Sequence, residues 1–402
     1  MATIRPFKAI RPPRDKISLI ASRSYLSYSE KTLNEKLENN PFTFLHIINP
    51  DYKHTIKKTG KEKFNLVKEK FNEFIKQKYL IQDSKDAFYI YQQKSITHTF
   101  TGIIAASKVA DYINGNIKKH EHTITEKEKI FKEYLQTTGF NADPILLSYQ
   151  KKDLINKILL KYQKKRAEYE FTTTNKTLHK LWILDNSVDI EKIKNTFKNI
   201  KNIYIADGHH RCSSSALLAK NNQSKESNYF MSFLITEDQL NVMNFNRLVK
   251  GLNNLQVDEF IQKLNINFDV TKSTNCNPIE KDQIGMYLNG ECFLLTALKG
   301  SYIDDCVNKL DPSILSKNIL APILNIKDEK TDKNIIFEAG TTPLYSIKNK
   351  VDNGEFTVAF ILKPIPFNSI KDVADKNKFM PPKSTYIEPK LRSGLIIYSL
   401  DL

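Results

Sequence analysis

The chain has few glycines and no apolar run long enough to cross a bilayer. Only 12 of its 402 residues are Gly. Neither G-x-x-x-x-G-K-[ST] nor G-x-G-x-x-G occurs, which excludes the Walker and Rossmann phosphate loops. No stretch of about 18 apolar residues exists, so the sequence predicts no membrane span and no membrane partner. Because the N-terminus also lacks the apolar segment of a signal peptide, we expect a cytoplasmic protein.

Cysteine and arginine are also scarce. The four cysteines, Cys212, Cys276, Cys292 and Cys306, form no C-x-x-C pair, so their spacing suggests neither a zinc finger nor a disulfide framework. Eight of the 61 basic residues are Arg, and these mark places where a planar two-pronged donor matters. The net charge is +16, but the excess Lys is spread along the chain, and we do not expect nucleic-acid binding.

The length of 402 residues exceeds what one simple core holds, and 40% hydrophobic content is enough for more than one. We expect an α+β fold with a mixed sheet. The predicted parts are a main domain at 1–254, a smaller α+β subdomain at 255–365, and a C-terminal segment at 366–402 that packs back on the main domain. Among the local predictions are an amphipathic helix at 61–79 and strands at 42–48, 88–92 and 102–109.

The stretch from Ile203 to Leu218 has the pattern of a strand, a sharp turn and a helix. An apolar run leads to Asp207-Gly208, and small and aliphatic residues suited to a helix follow His209. The start of a helix offers unpaired backbone N–H groups and the positive end of the helix dipole. This pattern predicts an anion site, and phosphate is the usual biological anion.

Each side chain of this phosphate loop has a predicted role. Gly208 lets the backbone approach the phosphate, and the Arg211 fork and the Ser213 hydroxyl hold it. His209 or His210 donates to a phosphoryl oxygen or acts as general acid or base. Asp207 orients a histidine or binds Mg²⁺ through water. The alternative is a helix cap with solvent-exposed imidazoles.

A second cluster is His120-Glu121-His122. Strand geometry would place both imidazoles on one face and the carboxylate on the other. Three interpretations stay open: a metal pair of His120 and His122, a catalytic role for Glu121 or His120 beside the phosphate loop, and a structural role. Thr125 with Glu128 fits a capping box that starts a helix.

A third cluster lies between Met380 and Lys390. Pro381-Pro382 fixes a turn that would present Lys383, Ser384 and Thr385 together, which suits phosphate or carboxylate binding. The alternative is a prolyl loop that closes the core before the final strand. Arg247, after the strand at 228–235, is a further candidate for binding an anionic substrate.

These motifs resemble a family of bacterial and archaeal proteins known as domain of unknown function 1015. The motifs occur in the family's order: Arg5-Pro6-Phe7, Asn40-Pro41, Phe44-Leu45-His46, His120-Glu121-His122-Thr123, His179 with Leu181-Trp182, Ala206–Arg211, Met380–Tyr386 and Pro389-Lys390. The chain departs from the family where Ser24-Tyr25-Leu26 replaces Pro-Tyr-Asp. It also has Lys129 in place of an Arg and Glu388 in place of an aromatic residue.

The Asp-Gly-His-His-Arg turn also resembles the phosphate loop of the ParB/sulfiredoxin superfamily, which includes an ADP-dependent free serine kinase. An extended Ile4-Arg5-Pro6 segment is similar to one in that superfamily. The resemblance implies a ParB/sulfiredoxin-like core and nucleotide phosphates at Gly208–Arg211.

Together these observations predict a nucleotide-binding protein and favour an enzyme. We expect it to transfer a phosphoryl group from ADP or ATP to a small hydroxylated metabolite with the help of Mg²⁺. One alternative is a non-catalytic, nucleotide-responsive module that contacts nucleic acid or protein. The other is a metal-dependent hydrolase built on His120 and His122. The sequence does not predict an oligomeric state.

Overall fold

The computed structural model describes residues 2–221 and 224–400, which form two compact units. The first unit comprises the described residues up to Lys118, Thr123–Leu240 and those from Pro389 onward. The second comprises Lys119–His122 and Asn241–Glu388. The predicted subdomain at 255–365 lies within the second unit. Of the C-terminal segment predicted at 366–402, residues 366–388 belong to the second unit.

The first unit is built on a nine-stranded sheet. The strands of this unit before residue 240 are β1 (Ile4–Arg5), β2 (Ile10–Arg11), β3 (Ile81–Gln82), β4 (Phe88–Lys94), β5 (Thr99–Lys108), β6 (Ile117–Lys118), β7 (Phe140–Asn141), β8 (Ile145–Tyr149), β9 (Tyr169–Thr172), β10 (Leu178–Leu184), β11 (Ile203–Asp207) and β12 (Tyr229–Thr236). The strand order is β6-β11-β8-β12-β5-β4-β10-β9, with β1 paired to β5. Because β11 runs parallel to β6 and antiparallel to β8, the sheet is mixed. The predicted α+β class with a mixed sheet is confirmed.

The helices of the first unit pack either on this sheet or in a second apolar cluster. They are α1 (Ile17–Ile20), α2 (Glu30–Asn39), α3 (Leu45–Ile48), α4 (Gly60–Lys76), α5 (Val109–Ile113), α6 (Thr125–Thr138), α7 (Asp153–Gln163), α8 (Ser187–Lys198) and α9 (His209–Asn221). Ile203 and Ile205 of β11 pack in the same buried cluster as Cys212 and Ala216 of α9. This packing fixes the strand and the helix on either side of Gly208, and each buried aliphatic side chain contributes about 1.5–3 kcal/mol.

The second unit has its own six-stranded sheet and core. Its strands are β13 (Asn241–Met243), β14 (Phe245–Val249), β15 (Phe268–Ser273), β16 (Gln283–Leu288), β17 (Glu291–Ala297), β18 (Ile335–Ala339), β19 (Val358–Ile361) and β20 (Tyr386–Glu388). Its helices are α10 (Val257–Leu264), α11 (Asp311–Leu315), which continues as a π-helix at Ser316–Leu320, α12 (Leu344–Asp352) and α13 (Phe367–Asp375). The sheet order is β15-β17-β16-β19-β14-β18, and β13 pairs with β20 separately. The last strand, β21 (Tyr398–Ser399), belongs to the first unit and pairs with β7.

Three local predictions are wrong. The predicted strand at 42–48 is the short helix α3. Helix α6 does begin at Thr125, but no side chain caps its N-terminus, so there is no capping box. Cys276 and Cys292 form a disulfide within the second unit, although their spacing matches no disulfide framework.

Membrane insertion by a helix finds no support in this fold. Across residues 2–221 and 224–400, no helix combines the length and the apolar character needed to span a bilayer.

Candidate functional site

The predicted strand, turn and helix form around Gly208. Strand β11 ends at Asp207 and helix α9 begins at His209. Gly208 has a φ of +100°, which favours glycine because a side chain would be strained there. Its carbonyl accepts the first bond of the helix from the Cys212 amide at 3.0 Å. The N–H groups of the next three residues therefore precede the helical ladder and point out of the start of α9.

Two cations hold the Asp207 carboxylate at this turn. Arg211 Nη2 donates to Asp207 Oδ2 at 2.9 Å, and Lys390 Nζ donates to Oδ1 at 2.7 Å. Burial opposes a charge on Asp207, but the charges of Lys390 and Arg211 outweigh it and lower the pKa of the carboxyl. The side chains of Asp207 and Arg211 stay 37% and 28% exposed, so the cluster is within reach of a ligand.

Arg211 is held in place from a second side. Its Nη1 donates to the Pro144 carbonyl oxygen at 2.9 Å. A Cβ at position 208 would lie 3.1 Å from Arg211 Nη2, so the guanidinium packs directly over the glycine. The Arg211 guanidinium is thereby fixed beside the start of the helix before any ligand binds, which lowers the entropic cost of binding.

The histidines of the loop differ in exposure, and the serine faces away from the turn. His209 is buried, whereas His210 is half-buried. Ser213 Oγ donates to Glu128 Oε1 of helix α6 at 2.5 Å. This bond ties α9 to α6, so Ser213 holds the helix in place. The binding role predicted for its hydroxyl would require that bond to break.

The other predicted residues come together in the second unit. The Met380 amide donates to the His120 carbonyl at 2.9 Å, and the His122 and Phe379 rings lie 3.8 Å apart. Arg247 Nη2 donates to the Pro382 carbonyl at 3.3 Å. The His120–His122, Met380–Thr385 and Arg247 clusters therefore share one neighbourhood.

Several of these side chains are placed differently from the sequence-based expectation. Residues 119–124 form neither helix nor strand, so the strand geometry expected for His120 to His122 is wrong. Lys383 is exposed while Ser384 and Thr385 are buried, and Ser384 Oγ donates to Pro381 O at 2.7 Å. The turn therefore does not present the three side chains together.

Arg247 is a buried structural residue. It is fully buried in β14, its Nη1 donates to the Phe245 carbonyl at 2.6 Å, and its Nε lies 3.6 Å from Glu329 Oε2. Burial lowers the pKa of Arg247 to about 10, although Glu329 acts in the opposite direction. The predicted role in binding an anionic substrate would require this buried guanidinium to be uncovered.

The metal pair expected of His120 and His122 does not assemble. His120 is 1% exposed, whereas His122 is on the surface against Phe379. No group of three His, Cys, Asp or Glu side chains suited to a metal occurs in the described part of the chain. A hydrolytic zinc site needs three protein ligands, so the hydrolase alternative would require a third ligand beside these two histidines.

The C-terminal segment supplies two basic side chains whose contacts sequence reasoning missed. Lys390 reaches Asp207, and two residues later Arg392 Nε donates to His179 Nε2 at 3.2 Å. His179 Nδ1 must then carry the proton, which it donates to Tyr91 Oη at 2.7 Å. Burial, followed by the charge of Arg392, lowers the pKa of His179 to about 3. The only sequence signal was the short Pro389-Lys390 motif.

Comparisons with known proteins agree with the predicted family. The model of the family described as "Protein of unknown function (DUF1015)" matches residues 4–313. No curated protein matches the chain. Among solved structures, free serine kinase in complex with AMP matches with a TM-score of 0.39 and 12% identity over 75% of this chain and 92% of that chain.

Two further solved structures match at a similar level. A conserved hypothetical protein from Pyrococcus furiosus has a TM-score of 0.37 and 14% identity over 75% of this chain and 96% of that chain. SbnI with a C-terminal truncation, from Staphylococcus aureus, has a TM-score of 0.38 and 12% identity over 74% and 88%. The free serine kinase named in the sequence-based resemblance is thus among the structures that match.

Proposed function

The chain belongs to this family of unknown function, and from the geometry of the loop we propose that it binds the phosphates of a nucleotide at Gly208–Arg211. One observation carries the proposal: the Asp207 carboxylate lies between Lys390 and Arg211. Two positive charges and one negative charge leave the cluster with a net positive charge. Both this charge and the positive end of the α9 dipole stabilise an anion at the loop.

The groups that hold the phosphate follow from their positions. The backbone N–H groups at 209–211 contact its oxygens, and Gly208 leaves the space that a side chain would fill. The Arg211 guanidinium donates one hydrogen bond to Asp207 and one to the Pro144 carbonyl. Its remaining N–H groups donate to the phosphate. Because His210 is more exposed than His209, His210 is the imidazole that donates to a phosphoryl oxygen.

The reaction is phosphoryl transfer to a small hydroxylated metabolite. The hydroxyl oxygen attacks the terminal phosphorus of ADP or ATP, and the bond from that phosphorus to the leaving nucleoside phosphate breaks. The hydroxyl proton passes to a base, for which His210 is the candidate at the loop. Lys390 and Arg211 stabilise the charge that develops on the phosphate oxygens, which is the main contribution in this class of reaction.

The residues at the turn do not suit a directly bound Mg²⁺. Asp207 has a cation at 2.7 Å and another at 2.9 Å, and both repel a third. Mg²⁺ is therefore not assigned to this carboxylate, although an ion held by the nucleotide phosphates would be compatible with the cluster.

A thermal-shift titration with ADP and ATP tests the proposal. A nucleotide at a hundred times its dissociation constant adds about 2.7 kcal/mol to the stability of the wild type. The variants Arg211→Ala and Lys390→Ala each remove a charged donor, and we expect at least about tenfold weaker binding in each. Product analysis with small alcohols, serine included, then reports turnover.

A matched control is Lys180→Ala, which removes an ion pair of similar length with Glu170 on the same sheet, at 2.9 Å. This variant should bind nucleotides as the wild type does. If no nucleotide stabilises the wild type, or if Arg211→Ala and Lys180→Ala behave alike, the proposal fails. Binding without turnover would leave only the nucleotide-responsive module.

A further inference from the structure

The second unit contains a small polar cavity at the start of helix α12. Its volume is about 390 Å³, which is at the lower end for metabolite sites. The polar side chains that line it are Asn244, Asn246, Asn277, Thr341, Thr342 and Lys363. None of its lining residues, all of which lie in the described ranges, is acidic. A metal ion would therefore find no carboxylate ligand among them.

Two buried carboxamides face this cavity. Asn246 is 5% exposed, and its Oδ1 accepts bonds from the Leu362 amide at 3.1 Å and from Asn244 Nδ2 at 2.5 Å. A backbone N–H can only donate, so the orientation of the Asn246 amide is fixed and Nδ2 is the atom left for the cavity.

Each carboxamide keeps one polar atom without a protein partner. Within residues 2–221 and 224–400, neither Asn246 Nδ2 nor Asn244 Oδ1 makes a hydrogen bond, although Asn244 is also buried. The pairing between the two side chains thus leaves a donor and an acceptor next to each other on the cavity wall.

The backbone around the cavity supports this arrangement. The Gly340 amide donates to the Asn244 carbonyl at 2.8 Å, and a Cβ at position 340 would lie 2.6 Å from Asn244 Oδ1. Only glycine leaves the carboxamide where it is. Helix α12 is nine residues long, and the Leu344 amide at its start, which precedes the first bonded amides of the helix, adds a donor at the cavity.

One lysine places a positive charge at the cavity. Lys363 is exposed, lines the cavity, and donates through Nζ to the Ile279 carbonyl at 2.6 Å. This bond fixes the lysine next to the segment that contains Asn277 and Pro278, which also line the cavity. The cavity therefore offers several donors, one cation and, beside Asn246 Nδ2, the acceptor Asn244 Oδ1.

We propose that this cavity binds a small carboxylate that carries a neighbouring hydroxyl or ammonium group. The carboxylate accepts from Asn246 Nδ2 and the first turn of α12, beside the charge of Lys363. The neighbouring group donates to Asn244 Oδ1. An inorganic anion would use the donors but offer no hydrogen bond to this acceptor, so the acceptor selects for the second group.

Titration calorimetry with glycolate and acetate tests the proposal, because the two differ by one hydroxyl. We expect glycolate to bind about five- to tenfold more tightly than acetate, the effect of one hydrogen bond. L-Serine should bind as well, and inorganic phosphate should bind more weakly than glycolate. If none of these ions binds at up to about 10 mM, if glycolate and acetate bind equally, or if phosphate binds most tightly, the proposal is overturned.

Substitutions locate the binding. The variant Asn246→Asp keeps the acceptor for Leu362 but replaces the donor by a negative charge, and we expect glycolate binding to disappear. Lys363→Met, at an exposed position where folding is not at risk, should weaken binding about threefold. Lys333→Met, an exposed lysine of the same unit outside the cavity, should have no effect. If Lys363→Met and Lys333→Met bind glycolate alike, the cavity is not the site.

The result does not depend on the nucleotide proposal. Arg211→Ala should leave glycolate binding unchanged, and Asn246→Asp should leave ADP binding unchanged. Either site can therefore fail its test without affecting the other.

Discussion

Each unit contains an arginine paired with a carboxylate, and the two pairs differ in burial. In the first unit, Arg211 meets Asp207 at 2.9 Å with side chains 28% and 37% exposed. In the second, Arg247 lies 3.6 Å from Glu329 with side chains 0% and 7% exposed. The exposed pair is open to solvent and has a second cation, Lys390, beside it. The buried pair has only protein groups for its remaining donors.

This difference assigns the two arginines to different tasks. Arg247 is surrounded by the Phe245 and Pro382 carbonyls and the face of the Phe337 ring, so its donors are used for structure. Arg211 has donors left at the open start of a helix, so a ligand can use them. The scarcity of arginine marks both positions. It does not show which guanidinium is available to a ligand and which belongs to the core, because that depends on burial.

The largest expected effect is on the buried pair. Arg247→Met leaves Glu329 buried without its counter-charge, and we expect a loss of about 3–5 kcal/mol in the free energy of unfolding. Arg211→Met should cost less than about 1 kcal/mol, since an exposed pair is screened by water. Urea unfolding of both variants measures the difference.

The double variant Arg247→Met with Glu329→Leu provides the control. It replaces the whole pair by apolar groups and should recover most of the lost stability. Equal losses in Arg247→Met and Arg211→Met would show that burial does not separate the two pairs.

The part of the site that sequence could predict is the local part. The apolar run, the Asp-Gly turn and the small residues after it predicted a strand, a turn and a helix, and β11 and α9 confirm this because neighbouring residues determine each element. Lys390 was missed as a partner of Asp207 because it is 183 positions away. No local pattern marks a contact of that range.

The wrong predictions have the same cause. Thr125 and Glu128 have the spacing of a capping box, but Glu128 accepts from Ser213 Oγ, 85 positions further on. The run at 42–48 has residues that favour strands, yet only four of them form regular structure, as a short helix whose apolar side chains are buried. In both places tertiary packing outweighs a weak local preference.

We expect an effect of intermediate size on stability from a third arginine contact, that of Arg392 with His179, because this partner is neutral. His179 is buried beside Arg392 with a pKa of about 3, below the value near 6.5 of an unfolded chain. Its contribution to stability is complete above about pH 6.5 and is lost as the pH falls toward 3, by at most about 1.4 kcal/mol per pH unit. Unfolding free energies measured from pH 8 to pH 4 should fall in this window.

The variant His179→Gln removes the titrating group, so its stability should change less between pH 6.5 and pH 4. The exposed His98 serves as the control: His98→Gln should keep the acid sensitivity of the wild type. If both variants keep that sensitivity, another group is responsible for it.

The smallest effect is expected at the exposed cluster itself. Lys390 and Arg211 lower the pKa of Asp207 against the effect of burial. The carboxylate therefore stabilises the fold fully above its unfolded pKa of about 3.9 and loses this effect as the pH falls through the lowered value. Since all three side chains are partly exposed, Asp207→Asn should cost less than about 1 kcal/mol at pH 7, and the difference from wild type should vanish in stronger acid.

Asp238→Asn, which breaks a looser surface pair with Lys151 at 3.7 Å, should cost less still. A loss of about 3 kcal/mol in Asp207→Asn would place this cluster with the buried pair of Arg247, and the case for a ligand at the loop would then rest on the backbone amides alone.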